Sequence, residues 1–217
     1  ASTFSEIAAR RAIERVNASG LLRVASVSEA HESRRPPEGL NTVRLLVAGS
    51  KAMGMSPKQV MKTAEALYSQ GLISYPRTET TKYDPTGFDA RRLLSEHTSH
   101  PEWGKTAAHL LRTKYKSSGR PPTTGRDAGD HPPITPTGRA ATREQVGGGA
   151  AWRVYEFVAR TFIGSLADEL TFTRRKVLFE LDDGRMGGGG GGSGRGGGSR
   201  GGEPAERFVH EDTQVDS

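Results

Sequence analysis

Residues 56–80 read SPKQVMKTAEALYSQGLISYPRTET, and this stretch predicts a helix that stops before an extended segment. Ser56 followed by Pro57 is typical of a helix start, because serine caps the first turn and proline is favoured at the first helical position. Apolar residues then recur at helical spacing, namely Val60, Ala64 and Leu67. Gly71 is the predicted end of the helix, since glycine readily adopts the left-handed conformation found there.

The segment after this helix places a phenol beside a guanidinium. Pro76 disfavours the helical conformation for Tyr75, so Tyr75 is expected to be extended. Residues i and i+2 of an extended chain point the same way, which puts Tyr75 and Arg77 on one face. A phenolic oxygen can attack phosphorus and a guanidinium can grip phosphate oxygens, so the pair is a candidate phosphate site. The simpler alternative is a strand tyrosine that packs its ring and turns its hydroxyl to solvent.

Periodicity predicts further elements on both sides of this stretch. A short helix should follow Asn41, and four longer ones are predicted over 5–18, 88–97, 102–115 and 150–166. Strands are predicted over 21–27 with an extended continuation to 35, over 170–181 and over 207–210. One face of the middle strand should hold Leu170, Phe172, Val177, Phe179 and Leu181. His131–Pro136 cannot be helical and should form a rigid extended segment.

These elements predict an α+β fold. A helical domain over 38–168 carries the tyrosine and is inserted into a β domain. The helix and strand of 1–37 belong to that neighbouring β domain, and 169–217 is its returning strand pair. A loop rich in glycine and arginine, 184–202, separates the returning strands.

Composition narrows the class of protein. Of 28 glycines, 13 fall within 184–202, so the remainder has an ordinary globular composition. The chain has no cysteine, which excludes a disulfide scaffold and thiolate chemistry, and no apolar run long enough to span a membrane. We expect an intracellular, soluble protein with no membrane partner. Its net charge of +6 is a weak indication of nucleic acid binding. Residue 1 is not methionine, and both ends are expected to be cut from a longer protein.

The glycine tract supports a second hypothesis. It contains Arg185, Arg195 and Arg200 among glycines and serines. Arginines in such sequences bind RNA or single strands through charge and stacking on bases, so Arg195 and Arg200 are candidate nucleic-acid-binding residues. The alternative function is therefore a non-catalytic module that binds single-stranded DNA or RNA through this tract. An inert flexible loop remains the simpler interpretation of the same residues.

Four ordered motifs resemble one known family. EALYS at 65–69 together with ISYPRTET at 73–80 is similar to the active-site signature of type IA DNA topoisomerases. Three other stretches fit the order of motifs in that family: LNTV at 40–43, MGMSP at 53–57 and GDHPPITP at 129–136. The last is most similar to the eukaryotic topoisomerase III beta branch, and the resemblance covers roughly residues 5–181.

The resemblance implies a reaction and a set of roles. Tyr75 would attack a backbone phosphate of single-stranded DNA and hold the 5′ end as a phosphotyrosine. Strand passage and religation would then relax or decatenate DNA without ATP. Arg77 would bind the scissile phosphate and His131 a DNA phosphate, although a locally hydrogen-bonded loop histidine is also compatible with the sequence. Thr78 would bond a phosphate oxygen or cap the next turn, and Glu79 either follows the family pattern or pairs with a nearby cation.

The family pattern also includes an acidic, metal-holding domain that precedes this region. Mg²⁺ is expected for the full enzyme, bound outside this chain, because hard cations need clustered carboxylates. The acids present here are expected to be solvated: Asp127, Asp130, Asp182, Asp183, Glu211 and Asp212. The expected partners are therefore single-stranded DNA, with RNA as a second candidate, and the missing acidic domain. Alone, the chain should cleave poorly. The resemblance implies a nuclear location, with the cytoplasm as an alternative.

Overall fold

The computed structural model describes residues 22–181 and 207–215, together with residues 10, 13, 14 and 16–18. The predicted helix over 5–18 therefore lies largely outside the described residues, although those described within it are helical. The predicted 184–202 loop lies outside them entirely. Contacts divide the chain into a sheet unit, which contains the three strands among the described residues, and a helical unit, Arg35–Glu169. The chain is thus a mixture of helix and sheet, while the predicted boundaries at 37/38 and 168/169 stay predictions.

The sheet unit is a three-stranded antiparallel sheet. Its strands are β1 (Leu22–Arg34), β2 (Leu170–Leu181) and β3 (Arg207–Val215), with β2 in the centre. The extended continuation predicted after residue 27 is part of β1, since the pairing with β2 runs on past a bulge between Val24 and Ser26. β3 is longer than the predicted 207–210 because its pairing with β2 extends to Val215.

The register corrects the predicted face of β2. Phe172 pairs with Val215 and Phe179 with Phe208, and β2 itself contains no bulge. Successive side chains of a strand alternate between its two faces, so residues an odd number apart lie on opposite faces. Phe172 therefore lies on the opposite face from Val177 and Phe179. The prediction of a single shared face was wrong.

The helical unit contains six helices between residues 35 and 169. They are α1 (Thr42–Ala52), α2 (Pro57–Ser69), α3 (Ala90–Ser95), α4 (Gly104–Arg112), α5 (Arg143–Val146) and α6 (Gly149–Ser165). Asn41 caps α1 by accepting from the Arg44 amide, and Ser56 forms a capping box with Gln59 at α2, which confirms both predicted starts. α3 is shorter than its predicted 88–97 because the Asp89 carboxylate caps it one residue before Ala90.

The core of the helical unit is built around α6. Its predicted apolar stripe is buried, as the residues with the largest side chains show: Trp152, Tyr155, Phe162 and Ile163. The buried face of α2, which holds Val60, Ala64 and Leu67, also belongs to this core. α4 begins at Gly104 rather than 102, after Trp103, whose indole is itself buried in the core.

Extended segments at 40, 73 and 134–136 meet beside α2. Ile134 forms a bridge with Leu40, and Ile73 with Pro136, so the predicted extended 131–136 segment lies between the other two. The approach is close at Gly39, where a Cβ atom would lie 2.7 Å from the Thr81 carbonyl oxygen and 2.7 Å from Pro133. This packing fixes the segments on either side of Tyr75. Within the ranges described, no helix has the length and apolar character needed to cross a membrane.

Candidate active site

Tyr75 lies half-buried between two aromatic side chains. The ring centroid of Tyr68 is 5.3 Å from that of Tyr75, and the ring centroid of His131 is 4.6 Å away, both in edge-on arrangements. Tyr68 is on the last turn of α2, and His131 comes from the loop before the 133–136 segment. The structure therefore brings the two predicted residues Tyr75 and His131 together from positions 56 residues apart.

The backbone around Tyr75 is held on both sides. The Ser74 amide donates to the Thr135 carbonyl over 2.8 Å. On the other side, the Thr42 hydroxyl at the start of α1 donates to the Pro76 carbonyl over 2.8 Å, and the Thr42 hydroxyl accepts from the Thr78 amide over 2.8 Å. Pro76 itself is buried. These bonds fix the path of the chain on both sides of Tyr75, while the extended conformation of Tyr75 itself stays a prediction.

Arg77 is exposed, and its guanidinium is paired with a carboxylate of α2. Oε1 of Glu65 accepts from Nε of Arg77 over 3.0 Å and from Nη2 over 2.5 Å. The hydrogen bond and the negative charge of Glu65 raise the pKa of Arg77 above its usual value, with a smaller contribution from Tyr75. The Arg77 side chain therefore stays cationic next to the tyrosine.

The Asp130 carboxylate binds the loop that follows Arg77 through several hydrogen bonds. Its carboxylate accepts from the Thr80 hydroxyl over 2.6 Å and from the Glu79 amide over 2.7 Å, and it lies 3.1 Å from the Thr78 hydroxyl oxygen. These bonds, the one from Thr80 first, hold the pKa of Asp130 well below its usual range. Asp130 is exposed, as expected of a solvated acid, and its carboxylate in addition binds donors of the 78–80 segment, which the sequence did not predict. Asp130 thus connects the segment after Arg77 to the loop that carries His131.

Thr78 lies inside the protein, 3% exposed, and joins the same two loops. Its hydroxyl donates to the His131 carbonyl over 2.5 Å and accepts from the Thr80 amide over 3.1 Å. The predicted contact between Thr78 and a phosphate oxygen stays a prediction. Glu79 is exposed on this loop, and its amide, rather than its carboxylate, binds Asp130.

Two cavities lie near this part of the helical unit. One of about 290 Å³ adjoins His131 and is also lined by Lys82, Asp84, Asp127 and Asp130. A larger one of about 510 Å³ lies at Leu72, His100 and Arg139, away from the Tyr75 ring contacts. The smaller cavity extends the surface around His131, and its charged lining combines the three aspartate carboxylates with one cationic side chain, Lys82.

A sequence profile of the DNA topoisomerase family matches residues 1–188. The chain belongs to the DNA topoisomerase family. Within it, the chain is 46% identical to DNA topoisomerase 3-beta of Arabidopsis thaliana over 155 residues, 71% of this chain and 17% of that protein. It is 43% identical to DNA topoisomerase 3-beta of Oryza sativa over 164 residues, 76% of this chain and 18% of that protein. These similarities identify a type IA topoisomerase III-like sequence.

Two further comparisons agree. DNA topoisomerase 3-beta-1 of Homo sapiens is 41% identical over 159 residues, which is 73% of this chain and 18% of the human protein. The solved structure of full-length topoisomerase I from Thermotoga maritima has a TM-score of 0.51 and 16% identity over 99% of this chain and 37% of that one, and so shows a shared fold. The chain thus spans less than a fifth of the length of these three topoisomerase 3-beta relatives.

The acidic residues of this topoisomerase chain do not form a magnesium site in the part that the structure describes. No three His, Asp or Glu side chains there lie together in a way that could hold a metal ion. The carboxylate of Asp130 is already taken up by hydroxyl and amide donors, and that of Asp127 accepts from the Gly129 amide over 2.9 Å. We therefore derive no reaction step through a metal bound by these residues.

Sequence reasoning missed three residues of the site. Glu65 and Tyr68 are three positions apart on α2, so their side chains share a face, and that spacing next to the predicted helix end could have revealed both. Asp130 directly precedes His131, but nothing in its spacing signals a hydrogen-bond hub formed with a loop 50 residues away. Of the predicted site residues, Arg195 and Arg200 lie outside the described residues.

Proposed function

We propose that this chain carries the DNA-cleaving tyrosine of a type IA topoisomerase that acts on single-stranded DNA. The observation that carries the proposal is the placement of the Tyr75 ring against His131, 4.6 Å between centroids, with the cationic Arg77 two residues further along. A nucleophilic phenol needs cationic and hydrogen-bonding groups nearby to bind the phosphate that it attacks. Family membership adds independent support.

The proposed reaction is a reversible transesterification. The phenolic oxygen of Tyr75 loses its proton and forms a bond to phosphorus, while the bond from phosphorus to the 3′ oxygen of the preceding nucleotide breaks. That oxygen takes up a proton and leaves as a 3′ hydroxyl, and the 5′ end stays attached to Tyr75. Attack by the same 3′ hydroxyl reverses each change, so one phosphate ester replaces another and ATP is not required.

Arg77 and His131 are the proposed phosphate-binding groups. The Arg77 guanidinium can donate to two phosphate oxygens and stabilise the charge that builds up on them during attack. His131 is exposed beside the Tyr75 ring, where its imidazole can donate to the same or the next phosphate. Thr78 stays a predicted phosphate contact, and in the structure its buried hydroxyl supports the loop that carries His131.

The proposed enzyme needs more than this chain. Mg²⁺, when bound, would supply charge stabilisation at the phosphate, and we place its ligands in an acidic domain outside these residues. We also propose that the helical unit is inserted into the β domain. This is supported by the pairing of β1, which precedes that unit in the sequence, with β2, which follows it. A nuclear location, with the cytoplasm as the alternative, fits action on DNA.

The test joins the chain to the part of the Arabidopsis thaliana relative that precedes its matched segment. The fusion is incubated with Mg²⁺ and a single-stranded oligonucleotide labelled at its 3′ end, and denaturing gels measure the labelled protein adduct. We expect the adduct with the unchanged fusion and none with Tyr75→Phe, which removes only the nucleophilic oxygen.

The matched control is Tyr68→Phe, which removes the other phenol of the same aromatic cluster. That variant should still form the adduct. An adduct that persists in Tyr75→Phe and disappears in Tyr68→Phe would show that Tyr68 is the nucleophile, and it would overturn the proposal.

A further inference from the structure

We propose that Glu65 is a positioning residue for Arg77, a role that rests on the proposed function of Tyr75. A single carboxylate oxygen, Oε1, accepts from both Nε and Nη2 of Arg77. These bonds hold one edge of the planar guanidinium. Within residues 22–181 and 207–215, Nη1 of Arg77 has no acceptor. The arrangement therefore leaves the other edge of the guanidinium free for a phosphate.

The helix that carries Glu65 is well suited to hold Arg77 in a fixed place. The opposite face of α2 is buried in the core through Val60, Ala64 and Leu67. Its first turn is closed by the capping box of Ser56 and Gln59. One helical turn after Glu65, Tyr68 contacts the ring of Tyr75. One exposed face of a rigid helix thus contacts both the proposed nucleophile and the proposed phosphate-binding arginine.

A contribution to folding stability does not by itself explain the ion pair between Glu65 and Arg77. The side chains of Arg77 and Glu65 are 60% and 44% exposed. Ion pairs this exposed contribute little to folding, because water and salt screen them. Orientation is a different matter, since a long arginine side chain that is free to rotate must be ordered each time it binds a phosphate. Glu65 removes that requirement before DNA arrives.

The Glu65 carboxylate also has an unfavourable effect, which acts on the binding of DNA. Its negative charge lies next to the place where a phosphate would bind and repels it. Removing the charge should therefore favour the binding of single-stranded DNA while it disfavours cleavage. A variant that merely damages the fold would weaken binding and cleavage together, so the direction of the two effects distinguishes positioning from structure.

The experiment uses Glu65→Gln in the same fusion and measures two quantities. Adduct formation at saturating oligonucleotide should slow about tenfold, because a neutral hydrogen bond replaces a charge-assisted one. The dissociation constant for the oligonucleotide, measured by fluorescence anisotropy on the chain itself without Mg²⁺, should stay unchanged or fall about twofold. Equal loss of both properties, or no change in the rate, would overturn the proposal.

Two controls separate this result from other causes. Glu156→Gln removes a carboxylate that binds Arg160 over 2.8 Å on α6, and it should change neither quantity. In an Arg77→Lys background, Glu65→Gln should alter the rate by less than about twofold, since its effect acts through the guanidinium. A tenfold loss in both backgrounds would refute positioning, whereas an adduct that survives Tyr75→Phe would refute the proposed function instead.

Discussion

The helical unit and the sheet unit are built on different interactions. In the helical unit, the large side chains Trp152, Tyr155 and Phe162 are almost completely buried. In the sheet unit, Val24 and Val27 of β1 are more than half exposed, and most side chains of β1 and β3 face solvent. Ion pairs cross its strands, such as Arg175 with Glu29 over 2.7 Å and Arg174 with Glu32 over 3.0 Å. Apolar burial thus stabilises the unit that carries the candidate site, while backbone pairing and exposed charge pairs hold the sheet.

The largest expected difference is in the response to removing an apolar side chain. Phe162→Ala should lower the free energy of unfolding of the helical unit by about 3–5 kcal/mol, because it leaves a cavity in a close-packed core. Val27→Ala, at a 56% exposed position of β1, should cost less than about 1 kcal/mol. Urea unfolding followed by tryptophan fluorescence reports on the helical unit, which contains Trp103 and Trp152, and hydrogen exchange of the β1 and β2 amides reports on the sheet unit. Similar losses of unfolding free energy in both variants would show that the two units do not differ in how much apolar burial stabilises them.

The next difference is in pH dependence. Burial lowers the pKa of His97 to about 4, and Nε1 of Trp103 donates to its Nδ1 over 3.0 Å. Unfolding restores the ordinary value of about 6.5, so the unfolded chain binds an extra proton between these values. The helical unit should therefore be fully stabilised by neutral His97 above pH 6.5 and lose roughly 2–3 kcal/mol as the pH falls to about 4.

Urea midpoints measured between pH 4 and 7 check this prediction. His97→Gln should flatten the slope, and the part that remains is expected from His100, whose pKa is lowered by burial as well. His31→Gln in β1 is the matched control, since His31 is exposed and its side chain lies at the sheet surface next to Thr173. A slope that is unchanged in His97→Gln would show that the buried histidine is not its source.

The smallest expected effect is in the sheet. Glu29→Gln removes the charge that pairs with Arg175, and both side chains are about half exposed. The cost should be about 0.2–1 kcal/mol and should vanish at high salt. Hydrogen exchange of the β1 and β2 amides, compared at low and high salt, measures it. A loss of several kcal/mol would mean that the charge pairs, rather than backbone pairing, dominate this unit.

Local sequence signals predicted the elements whose causes are local. The caps at Asn41 and Ser56 and the stripe of α6 were found because capping and periodicity act over a few residues. The ends of α3 and the face of β2 on which Phe172 lies were not predicted correctly. Both nevertheless had local signals, because Asp89 is a capping residue next to the helix start and Phe172 lies an odd number of positions from Val177 on the same strand.

The amino-acid sequence by itself determined the family and placed a phenol two residues before a guanidinium, because motif order acts along the chain. Only the tertiary structure decided which groups surround that pair. Glu65 reaches Arg77 across 12 residues, and Asp130 reaches Glu79 across 51. Such contacts arise from packing of segments that are distant in sequence, and a side chain's partner is therefore set by the fold and not by its neighbours along the chain.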